Sequence, residues 1–507
     1  MIDGILSGLS VAFLPFNLLM VFVGCFVGTF IGMLPGLGPL TAIALMIPIT
    51  YGYDPSSALI LMAGVYYGAM YGGSTASILL NDPGADGTVA ACYEGYPLAR
   101  KGMAGKALAV AAYGSFIGGT IATLCLMVAA PLVALFVDAF QSADYFVLIV
   151  MGLIAVAASN GPGQFLKAIM MAIIGLMLAT VGQDVGSNTP RFTFGNQGLL
   201  DGLSYVLLAM ALFANSEALM TVLKGHNVGA AARQATDNFG TLRLTRDERR
   251  QMLPAAWRAS FLGFFVGVLP GAGAAIASFL AYGLEKRLAK PEEKREFGHG
   301  SIRGLSAPET ANNAACSGSF LPLLTLGIPG SGATAIMLSA LISYGVAPGP
   351  GLMIEQPAVF WSVIISMYLG NVILLILNLP LVPYLAKLLT LPTTLVVPVL
   401  LFITIAGVYL ISLSTLDIYV MVALALMAVF MRLFNYPMTP LFLGFVLGKP
   451  MEAALQRALA ISDGSMSFLW DRPLTLCLTA VAIAIILFAS LRGVQGTQGG
   501  MRAGEGA

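Results

Sequence analysis

The sequence Phe30-Ile31-Gly32-Met33-Leu34-Pro35-Gly36-Leu37-Gly38 returns 235 residues later as Phe265-Val266-Gly267-Val268-Leu269-Pro270-Gly271-Ala272-Gly273. Three shorter matches follow in the same order, with offsets that drift slowly from 246 to 250. They pair Gly72 and Pro83-Gly84 with Gly318 and Pro329-Gly330, Pro131-Leu132-Val133 with Pro380-Leu381-Val382, and Thr189-Pro190 with Thr439-Pro440. Four ordered matches predict two repeats of about 250 residues each, and convergent use of Gly and Pro is the alternative.

The composition indicates that these repeats lie in lipid. Of the 507 residues, 58% are hydrophobic and only 10% are charged, whereas a soluble domain carries roughly 25% charged residues. Apolar segments of about 20 residues, long enough to cross a hydrocarbon core of about 30 Å as helices, recur along the chain. We therefore expect an all-α polytopic membrane protein with about 10 to 12 transmembrane helices.

The distribution of charge predicts how the two repeats are oriented. Of the 25 basic residues, 13 lie in the basic window between Lys224 and Arg303, and the positive-inside rule places its basic loop 223–258 in the cytoplasm. Equivalent loops of the two halves carry charges of opposite sign, as expected for inverted-topology repeats, whose equivalent loops face opposite sides of the membrane. The pairs are Arg100, Lys101 and Lys106 against Glu355, Asp138 and Asp144 against Lys387, and Lys167 against Asp417.

These patterns divide the chain into four parts. Residues 1–223 are expected to form the first inverted repeat in the membrane, and residues 259–491 the second. Residues 224–258 form a basic cytoplasmic linker between them. Residues 492–507, rich in Gly and Gln, are expected to be a disordered tail.

The longest repeated motif interrupts an apolar segment in each half. Residues 261–284 lie between two basic loops that should share the cytoplasmic side, so this segment must enter the membrane and return. Each arm around residues 270–273 has about ten residues and reaches roughly 15 Å, half of the bilayer. We predict a re-entrant helical hairpin here, and an equivalent hairpin around residues 35–38 that enters from the opposite face.

A second pair of interruptions lies at residues 81–87, Asn-Asp-Pro-Gly-Ala-Asp-Gly, and at residues 327–332, Gly-Ile-Pro-Gly-Ser-Gly. Pro removes a backbone donor and Gly permits unusual dihedral angles, so each interruption ends one helix and allows another to begin. A helix start inside the protein presents N–H groups and a positive dipole to a carboxylate, while freed carbonyl groups can bind a cation. Four interruptions in two related pairs predict one central substrate site.

The candidate substrate-binding residues are the interruptions and the hydroxyl and amide side chains near them, which bind an anion without the cost of burying Lys or Arg. They are Pro35, Gly36, Leu37, Gly38, Gly73, Ser74, Thr75, Asn81, Pro83, Gly84, Pro270, Gly271, Ala272, Gly273, Asn312, Asn313, Pro329, Gly330, Ser331 and Gly332. The alternative is that Gly and Pro serve only close helix packing or kinks.

The acidic residues allow more than one interpretation. Asp82 and Asp86 are candidates for binding the coupling cation or proton, with a solvated loop position as an equal alternative. Glu309 and Glu217 lie near predicted span ends and are interpreted as interfacial or helix-capping residues.

Other functional classes find little support in the sequence. The five cysteines show no metal-ligand spacing and both histidines fall in polar loops, so we predict no metal site, organic cofactor or histidine relay. No catalytic constellation or G-x-x-x-x-G-K-[ST] loop occurs, which argues against an enzyme and an ATP-driven pump. An anion channel or carboxylate-permeable pore is the main alternative to a transporter, and paired dead-end hairpins favour a gated site.

Several motifs resemble those of one transporter family. In the first half they are residues 32–39, 66–74, 81–84 and 94–99, and in the second half residues 270–274, 278–279, 282–286 and 308–314. Over roughly residues 5–490 the chain resembles the large membrane subunit of the tripartite tricarboxylate transporters. The family more often has an apolar or small residue at the position of Asp82, and Asp at the position of Glu94.

The resemblance implies a multi-pass secondary transporter of the bacterial inner membrane that imports a small di- or tricarboxylate, such as citrate, together with Na⁺ or H⁺. It implies two protein partners, a periplasmic solute-binding protein and a small membrane subunit of about four helices. We expect alternating access in which a core bundle moves against a scaffold bundle, as in an elevator. Monomeric and dimeric assemblies both stay open, and no interaction with nucleic acid is expected.

Overall fold

The computed structural model describes residues 2–34, 36–137, 139–161, 163–184, 186–224, 239–271, 273–349, 351–387 and 393–504. Helices dominate these ranges, and their two strands, β1 (Gly182–Gln183) and β2 (Pro190–Arg191), pair antiparallel. The prediction of an all-α polytopic membrane protein is confirmed. Within the same ranges, 7 helices are long and apolar enough to cross a membrane.

The described residues up to Lys224 form ten α-helices. They are α1 (Ile2–Ala12), α2 (Pro15–Met33), α3 (Pro39–Ile49), α4 (Pro55–Leu80), α5 (Val89–Leu98), α6 (Ala104–Val137), α7 (Ser142–Ala158), α8 (Phe165–Ala179), α9 (Tyr205–Ala209) and α10 (Ser216–Lys224). Short 3₁₀ turns lie at Asp86–Thr88 and Gln197–Leu199, and π-helical stretches at Ala99–Met103 and Met210–Asn215. Proline occupies the first position of α2, α3 and α4, where its missing N–H costs nothing.

The second half continues the numbering. Its helices are α11 (Arg246–Val268), α12 (Gly273–Leu288), α13 (Pro291–Lys294), α14 (Ile302–Gly318), α15 (Phe320–Leu326), α16 (Gly332–Ser343), α17 (Leu352–Glu355), α18 (Pro357–Asn378), α19 (Val382–Leu385), α20 (Thr393–Ser412), α21 (Thr415–Leu433), α22 (Met438–Ile461) and α23 (Pro473–Gly504), with a 3₁₀ turn at Met466–Leu469.

A stripe of glycines explains how closely α2 approaches α4. A Cβ added at Gly28 would collide with the carbonyl oxygen of Val65, and one added at Gly32 would collide with that of Ala69. The two glycines lie four residues apart, so they share one face of α2. Only residues without a side chain let the two backbones meet at this distance.

The same contact recurs in the second half. A Cβ on Gly263 or Gly267 of α11 would collide with the backbone of Ala311 or Ala315 of α14. These residues follow their first-half counterparts by 235 and 246 positions, the offsets found in the sequence motifs. The two halves therefore repeat a packed helix pair as well as a motif.

Contacts between residues divide the chain into two compact units. The first unit comprises residues 1–133 and 213–413, and the second unit comprises residues 134–212 and 414–507. Each unit thus combines segments from both halves of the sequence. The division into repeats at 1–223 and 259–491 stays a prediction about sequence relationship and membrane orientation.

Each unit has its own interior. Among the largest fully buried side chains of the first unit are Trp361, Tyr66 and Phe320. In the second unit, the fully buried Asp144 forms an ion pair with Arg472 at 2.9 Å. Many large apolar side chains elsewhere stay exposed, for example on α20, α21 and α23, as expected for surfaces that lipid covers.

Two predicted segments differ from the structure. α23 continues to Gly504, whereas the sequence predicted a disordered tail from residue 492. No proline follows Pro473, so nothing in the covalent chain interrupts the helical hydrogen bonds. Within the predicted linker 224–258, residues 246–258 already belong to α11. Residues 225–238 and 505–507 lie outside the described residues.

Candidate substrate site at four helix breaks

Four breaks interrupt the helices of the first unit at the repeated Gly and Pro motifs. The first break is residues 34–38, between α2 and α3, and the second is residues 81–85, before the Asp86–Thr88 turn and α5. The third break is residues 269–272, between α11 and α12, and the fourth is residues 327–331, between α15 and α16.

The first and third breaks have the same backbone course. Leu34 and Leu269 end their helices with φ/ψ of −75°/118° and −76°/121°, and each N–H donates to the carbonyl three residues earlier. Gly36 and Gly271 follow with φ of 81° and 80°. A residue with a Cβ adopts this φ only at a steric cost, which explains the repeated Gly.

The second and fourth breaks also match. Asn81 ends α4 in the left-handed region with φ 57°, and Gly327 ends α15 there with φ 69°. Ala85 and Ser331 then extend the chain, both with φ −151°, before the next helical turn begins. A left-handed residue after the last helical turn is a common helix stop, and Asn and Gly tolerate it best.

In each half the two breaks touch each other. A Cβ on Gly38 of the first break would lie 3.5 Å from the carbonyl oxygen of Gly84 in the second, and a Cβ on Gly84 would lie 2.5 Å from that of Gly32 near the end of α2. In the second half the Gly271 N–H donates to the Gly330 carbonyl at 3.1 Å. The structure therefore brings together the breaks that the sequence only related by order.

Each half also approaches a break of the other half. Asn312 on α14 lies against Gly87, where an added Cβ would collide with its Oδ1. The residue 246 positions earlier is Tyr66 on α4, whose hydroxyl lies 3.4 Å from Ser331 Oγ in the fourth break. Ser278 of α12 donates its hydroxyl hydrogen to the Gly87 carbonyl at 2.8 Å.

Asn312 has the chemistry of a binding group. Its side chain is fully buried, and neither Oδ1 nor Nδ2 has a hydrogen-bond partner among the described residues. An unpaired buried amide costs about 1–3 kcal/mol, so it is normally kept for a ligand or an ordered water. A carboxylate beside the turn at residues 86–88 would accept hydrogen bonds from Nδ2 and from the first backbone N–H groups of the helix.

Asn313 and Ser74 lie beside a carboxyl group, that of Glu309. Ser74 Oγ donates to Glu309 Oε2 at 2.6 Å, and Asn313 Nδ2 donates to Ser115 Oγ at 2.7 Å. Glu309 is only 1% exposed and occupies the middle of α14, so its interpretation as an interfacial or capping residue is wrong. The helix extends farther toward its N-terminus than the apolar pattern indicated. Glu217 does lie in the first turn of α10.

The remaining candidates shape the backbone or lie apart from Asn312. The Thr75 hydroxyl donates within its own helix, to the Tyr71 carbonyl at 3.4 Å. Asn81, Pro83, Asp86 and Gly36 are exposed, Asp82 and Gly38 are half-buried, Leu37 and Pro329 are buried, and Pro270, Gly273 and Gly332 adjoin the starts of α12 and α16. Pro35 and Ala272 lie outside the described residues.

Helix starts at the breaks provide the positive electrostatic potential. α3, α12 and α16 each begin directly after a break, and the breaks contain no Lys or Arg. Ser331 caps α16 by accepting the Thr334 N–H at 3.3 Å, while Thr334 Oγ1 accepts the Ser331 N–H at 2.8 Å. Uncapped N–H groups and the helix dipole would stabilise an anion here.

Sequence reasoning missed three residues of this region. Glu309 lies four residues before Asn313, so a continuous helix would have placed both on one face. Tyr66 precedes Asn312 by 246 residues, so the repeat offset identifies it as the first-half counterpart of Asn312. Ser278 carried no sequence signal for its contact with the Gly87 carbonyl.

Glu94 has a structural role. Glu94 is fully buried and accepts hydrogen bonds from the Tyr282 hydroxyl and the N–H groups of Gly298, Gly300 and Ser301 at 2.6–2.8 Å. It therefore fixes the loop before α14.

Among the residues that the structure describes, no three His, Cys, Asp or Glu side chains form a potential metal site.

The chain is similar in sequence to known membrane transport proteins. Residues 18–443, which contain all four breaks, match the family described as "Tripartite tricarboxylate transporter TctA family". The chain is 40% identical to an Agrobacterium vitis protein described as "Uncharacterized 52.8 kDa protein in TAR-I ttuC' 3'region", over 98% of this chain and 97% of that protein. A second Agrobacterium vitis protein, "Uncharacterized protein in TAR-II ttuC' 3'region", is 40% identical over 46% of this chain and 96% of its own length.

Proposed function

The chain belongs to the tripartite tricarboxylate transporter TctA family, and from this premise we propose that it is the subunit through which a small di- or tricarboxylate enters the cell. Membership makes it the multi-pass membrane component of a transport system with further subunits, including a binding protein. Our proposal adds the substrate class, coupling to Na⁺ or H⁺, and the bacterial inner membrane as its location.

The proposal depends most on one observation, the paired breaks with an unpartnered Asn312 amide between the halves. Such breaks place helix starts inside the protein, where they attract anionic groups without a buried Lys or Arg. The breaks are closely packed elements of the fold, because Gly84 lies against Gly32 and the Gly271 N–H donates to the Gly330 carbonyl.

Cation coupling follows from the same charge argument. The breaks supply dipoles, amides and hydroxyls, but no full positive charge. A di- or tricarboxylate bound there would keep most of its negative charge, and a co-transported cation would offset it. Asp82 and Asp86 stay candidates for this cation because Asp82 lies in the second break and Asp86 directly follows it.

We propose alternating access of the elevator type. All four breaks belong to the first compact unit, so this unit would carry the substrate, and the second unit would serve as the scaffold. The periplasmic binding protein would deliver the carboxylate, and a small membrane subunit of about four helices would complete the transporter. A dimer of the complete assembly is compatible with this scheme.

The main test is transport by the complete assembly in proteoliposomes. The expected result is accumulation of a radiolabelled carboxylate, dependent on the binding protein and on an imposed Na⁺ or H⁺ gradient. The acid is chosen by measuring which of a panel of carboxylates, citrate included, binds the purified periplasmic protein. No uptake under either gradient would contradict cation-coupled import, and a flux far above carrier turnover would instead favour the channel alternative.

Glycines of the breaks provide the matched variants. Substituting Gly36, Gly84, Gly271 or Gly330 with a bulky residue should abolish uptake and leave membrane insertion intact. Gly52 has a φ of 85° but nothing within 4 Å of its added Cβ, so Gly52→Asn is the control, since Asn tolerates this φ. Uptake that survives in all four variants would show that the breaks do not form the substrate site.

A further inference from the structure

Glu309 is an isolated carboxyl group in the interior of the first unit. It is 1% exposed, and its Oε2 accepts the hydroxyl hydrogen of Ser74 at 2.6 Å. Its Oε1 has no hydrogen-bond partner among the described residues, although Ser115 approaches the same carboxyl group. A carboxylate with so few donors and no cation is costly to keep charged, so it normally carries a proton or serves transport.

No basic side chain among the described residues pairs with Glu309. Its helix, α14, packs against α4, α5, α6, α11, α12, α15 and the Asp86–Thr88 turn. Tyr71 of α4 and Cys92 of α5 are titratable groups that interact electrostatically with Glu309. Arg303 of α14 and Arg258 of α11 both bind Glu285 of α12, at 2.6 and 2.7 Å.

The other titratable groups on these elements are engaged elsewhere or lie outside this contact. Glu94 accepts hydrogen bonds from the loop at residues 298–301 and from Tyr282. Lys106 of α6 pairs with Glu248 of α11 at 2.6 Å. The rest are Asp86 on the turn, Tyr66 and Tyr67 on α4, Tyr93 and Tyr96 on α5, Tyr113 and Cys125 on α6, Arg246, Asp247, Arg249 and Arg250 on α11, Lys286 and Arg287 on α12, and Cys316 on α14.

The Ser74 hydroxyl lies within hydrogen-bond distance of two acceptor oxygens. Its oxygen lies 2.6 Å from Glu309 Oε2 and 3.1 Å from the Met70 carbonyl oxygen. A hydroxyl has one hydrogen to donate, so a charged Glu309 and the Met70 carbonyl share the Ser74 hydrogen. A protonated Glu309 would instead donate to Ser74 and leave the Ser74 hydrogen to the Met70 carbonyl.

We infer that Glu309 is the group that binds the coupling proton, an inference that rests on the proposed transport function. A proton from the outer solution forms one O–H bond on the Glu309 carboxylate. On the inner side this O–H bond breaks and the proton is released to the inner solution. The neighbouring Asn312 would hold the substrate, whose negative charge opposes a charged Glu309. Substrate and proton would therefore bind together, which is the requirement for symport.

The test separates net transport from exchange. The complete assembly is reconstituted with a pH-sensitive dye inside the vesicles, and uptake of the radiolabelled acid selected by the binding-protein panel is followed. The wild type should accumulate the acid down an inward proton gradient and acidify the vesicle interior. Glu309→Gln should lose both signals and retain exchange of labelled for unlabelled acid at equal pH. Glu309→Asp should retain both signals.

The control is Glu292→Gln, on an exposed residue of α13, which should match the wild type. Gradient-driven accumulation with acidification in Glu309→Gln would overturn the inference, and so would wild-type uptake that follows Na⁺ without proton movement. Uptake that follows Na⁺ would contradict the inference but leave the proposed function intact. Wild-type protein with neither uptake nor exchange would contradict both the inference and the proposed function.

A variant that fails to assemble does not end the test. Ser74→Ala removes only the hydroxyl that contacts Glu309, and it should shift the pH dependence of accumulation relative to the wild type. An unchanged pH profile in this variant would contradict the role assigned to the carboxyl group.

Discussion

Asn312 shows how one side chain joins the two halves. It projects from α14 toward Gly87, which follows the second break in the first half. The contact is possible only because Gly87 has no side chain. Both polar atoms of Asn312 are left without a described partner, so the contact fixes the amide in place without using its hydrogen-bonding capacity.

We predict that Gly87→Ala lowers transport because the added Cβ occupies the position of the Asn312 oxygen. Displacing one such group costs about 1.4 kcal/mol, which corresponds to about tenfold in uptake rate. Gly283→Ala is the control, since nothing lies within 4 Å of a Cβ built there. Equal uptake by the two variants at equal expression would argue against a role for Asn312.

A second residue-scale prediction concerns pH and the turn between β1 and β2. Asp184 accepts hydrogen bonds from the N–H groups of Ser187 and Gly186 and from the Ser187 hydroxyl, at 2.7–3.0 Å. These donors, Ser187 N–H first, hold the pKa of Asp184 below its ordinary value, with Arg191 also lowering it. Because the folded pKa is lower than the unfolded value of about 3.9, the turn is stabilised above that pH and loses this contribution as the pH falls.

Hydrogen exchange at the Ser187 amide measures this effect. Asp184→Asn should exchange faster than the wild type at pH 7, after correction for intrinsic rates. The difference should narrow as the pH falls through the folded pKa, where the wild-type carboxylate is itself neutralised. A difference that stays constant with pH would show that charge on Asp184 does not hold the turn.

At the scale of elements, the glycines of α2 and α11 serve packing and the breaks at once. Gly32 lies both on the stripe facing α4 and against Gly84 of the second break. Its counterpart Gly267 faces Ala315, and its carbonyl oxygen would lie 3.2 Å from a Cβ on Gly330. Close helix packing and a break site are therefore compatible, although the sequence alone presents them as alternatives.

We predict that Gly32→Ala and Gly267→Ala each destabilise the protein. Their new methyl groups would meet the rigid carbonyls of Ala69 and Ala315, and overpacking of this kind costs about 1–3 kcal/mol. Thermal unfolding in detergent should show a lower Tm for both variants. Gly370→Ala is the control because its Cβ would meet only side-chain atoms, at 3.5 Å or more. A Tm equal to that of the control would contradict the packing argument.

At the scale of the whole molecule, equivalent loops contact different partners. Lys101, after α5, donates to the His299 carbonyl at 2.6 Å within the basic window. The equivalent loop after α16 instead brings the Tyr344 hydroxyl to 2.5 Å from Thr50 Oγ1, at the end of α3. Each of these loops contacts the end of the hairpin of the other half, as two halves related by a twofold axis would in either orientation, and the membrane side of each loop stays a prediction.

Cysteine labelling tests the inversion directly. In a variant without the five native cysteines, Tyr53→Cys and Glu292→Cys place exposed thiols in the loops that follow the first and second hairpins. An impermeant maleimide should label Tyr53→Cys in intact cells, and label Glu292→Cys only after the cells are permeabilised. Labelling of both positions from the same side would exclude inverted repeats.

The sequence was enough to predict the helical membrane fold, the family and the position of every described break. Each of these depends on local chemistry. Apolar length sets a membrane helix, and clusters of Pro and Gly at matched offsets stop helices, whereas an isolated proline such as Pro131 lies inside α6. The left-handed conformations of Gly36 and Gly271 follow from the same local rule.

The contacts across the chain required the tertiary structure. Which breaks touch depends on the packing of helices within each half. Which face of α14 points toward Gly87, and how deeply Glu309 is buried, depend on helices of both halves, more than 200 residues apart in sequence. A carboxyl group looks the same in a sequence at a helix end or in an interior. Only the surrounding helices determine whether water, a cation or a proton neutralises its charge.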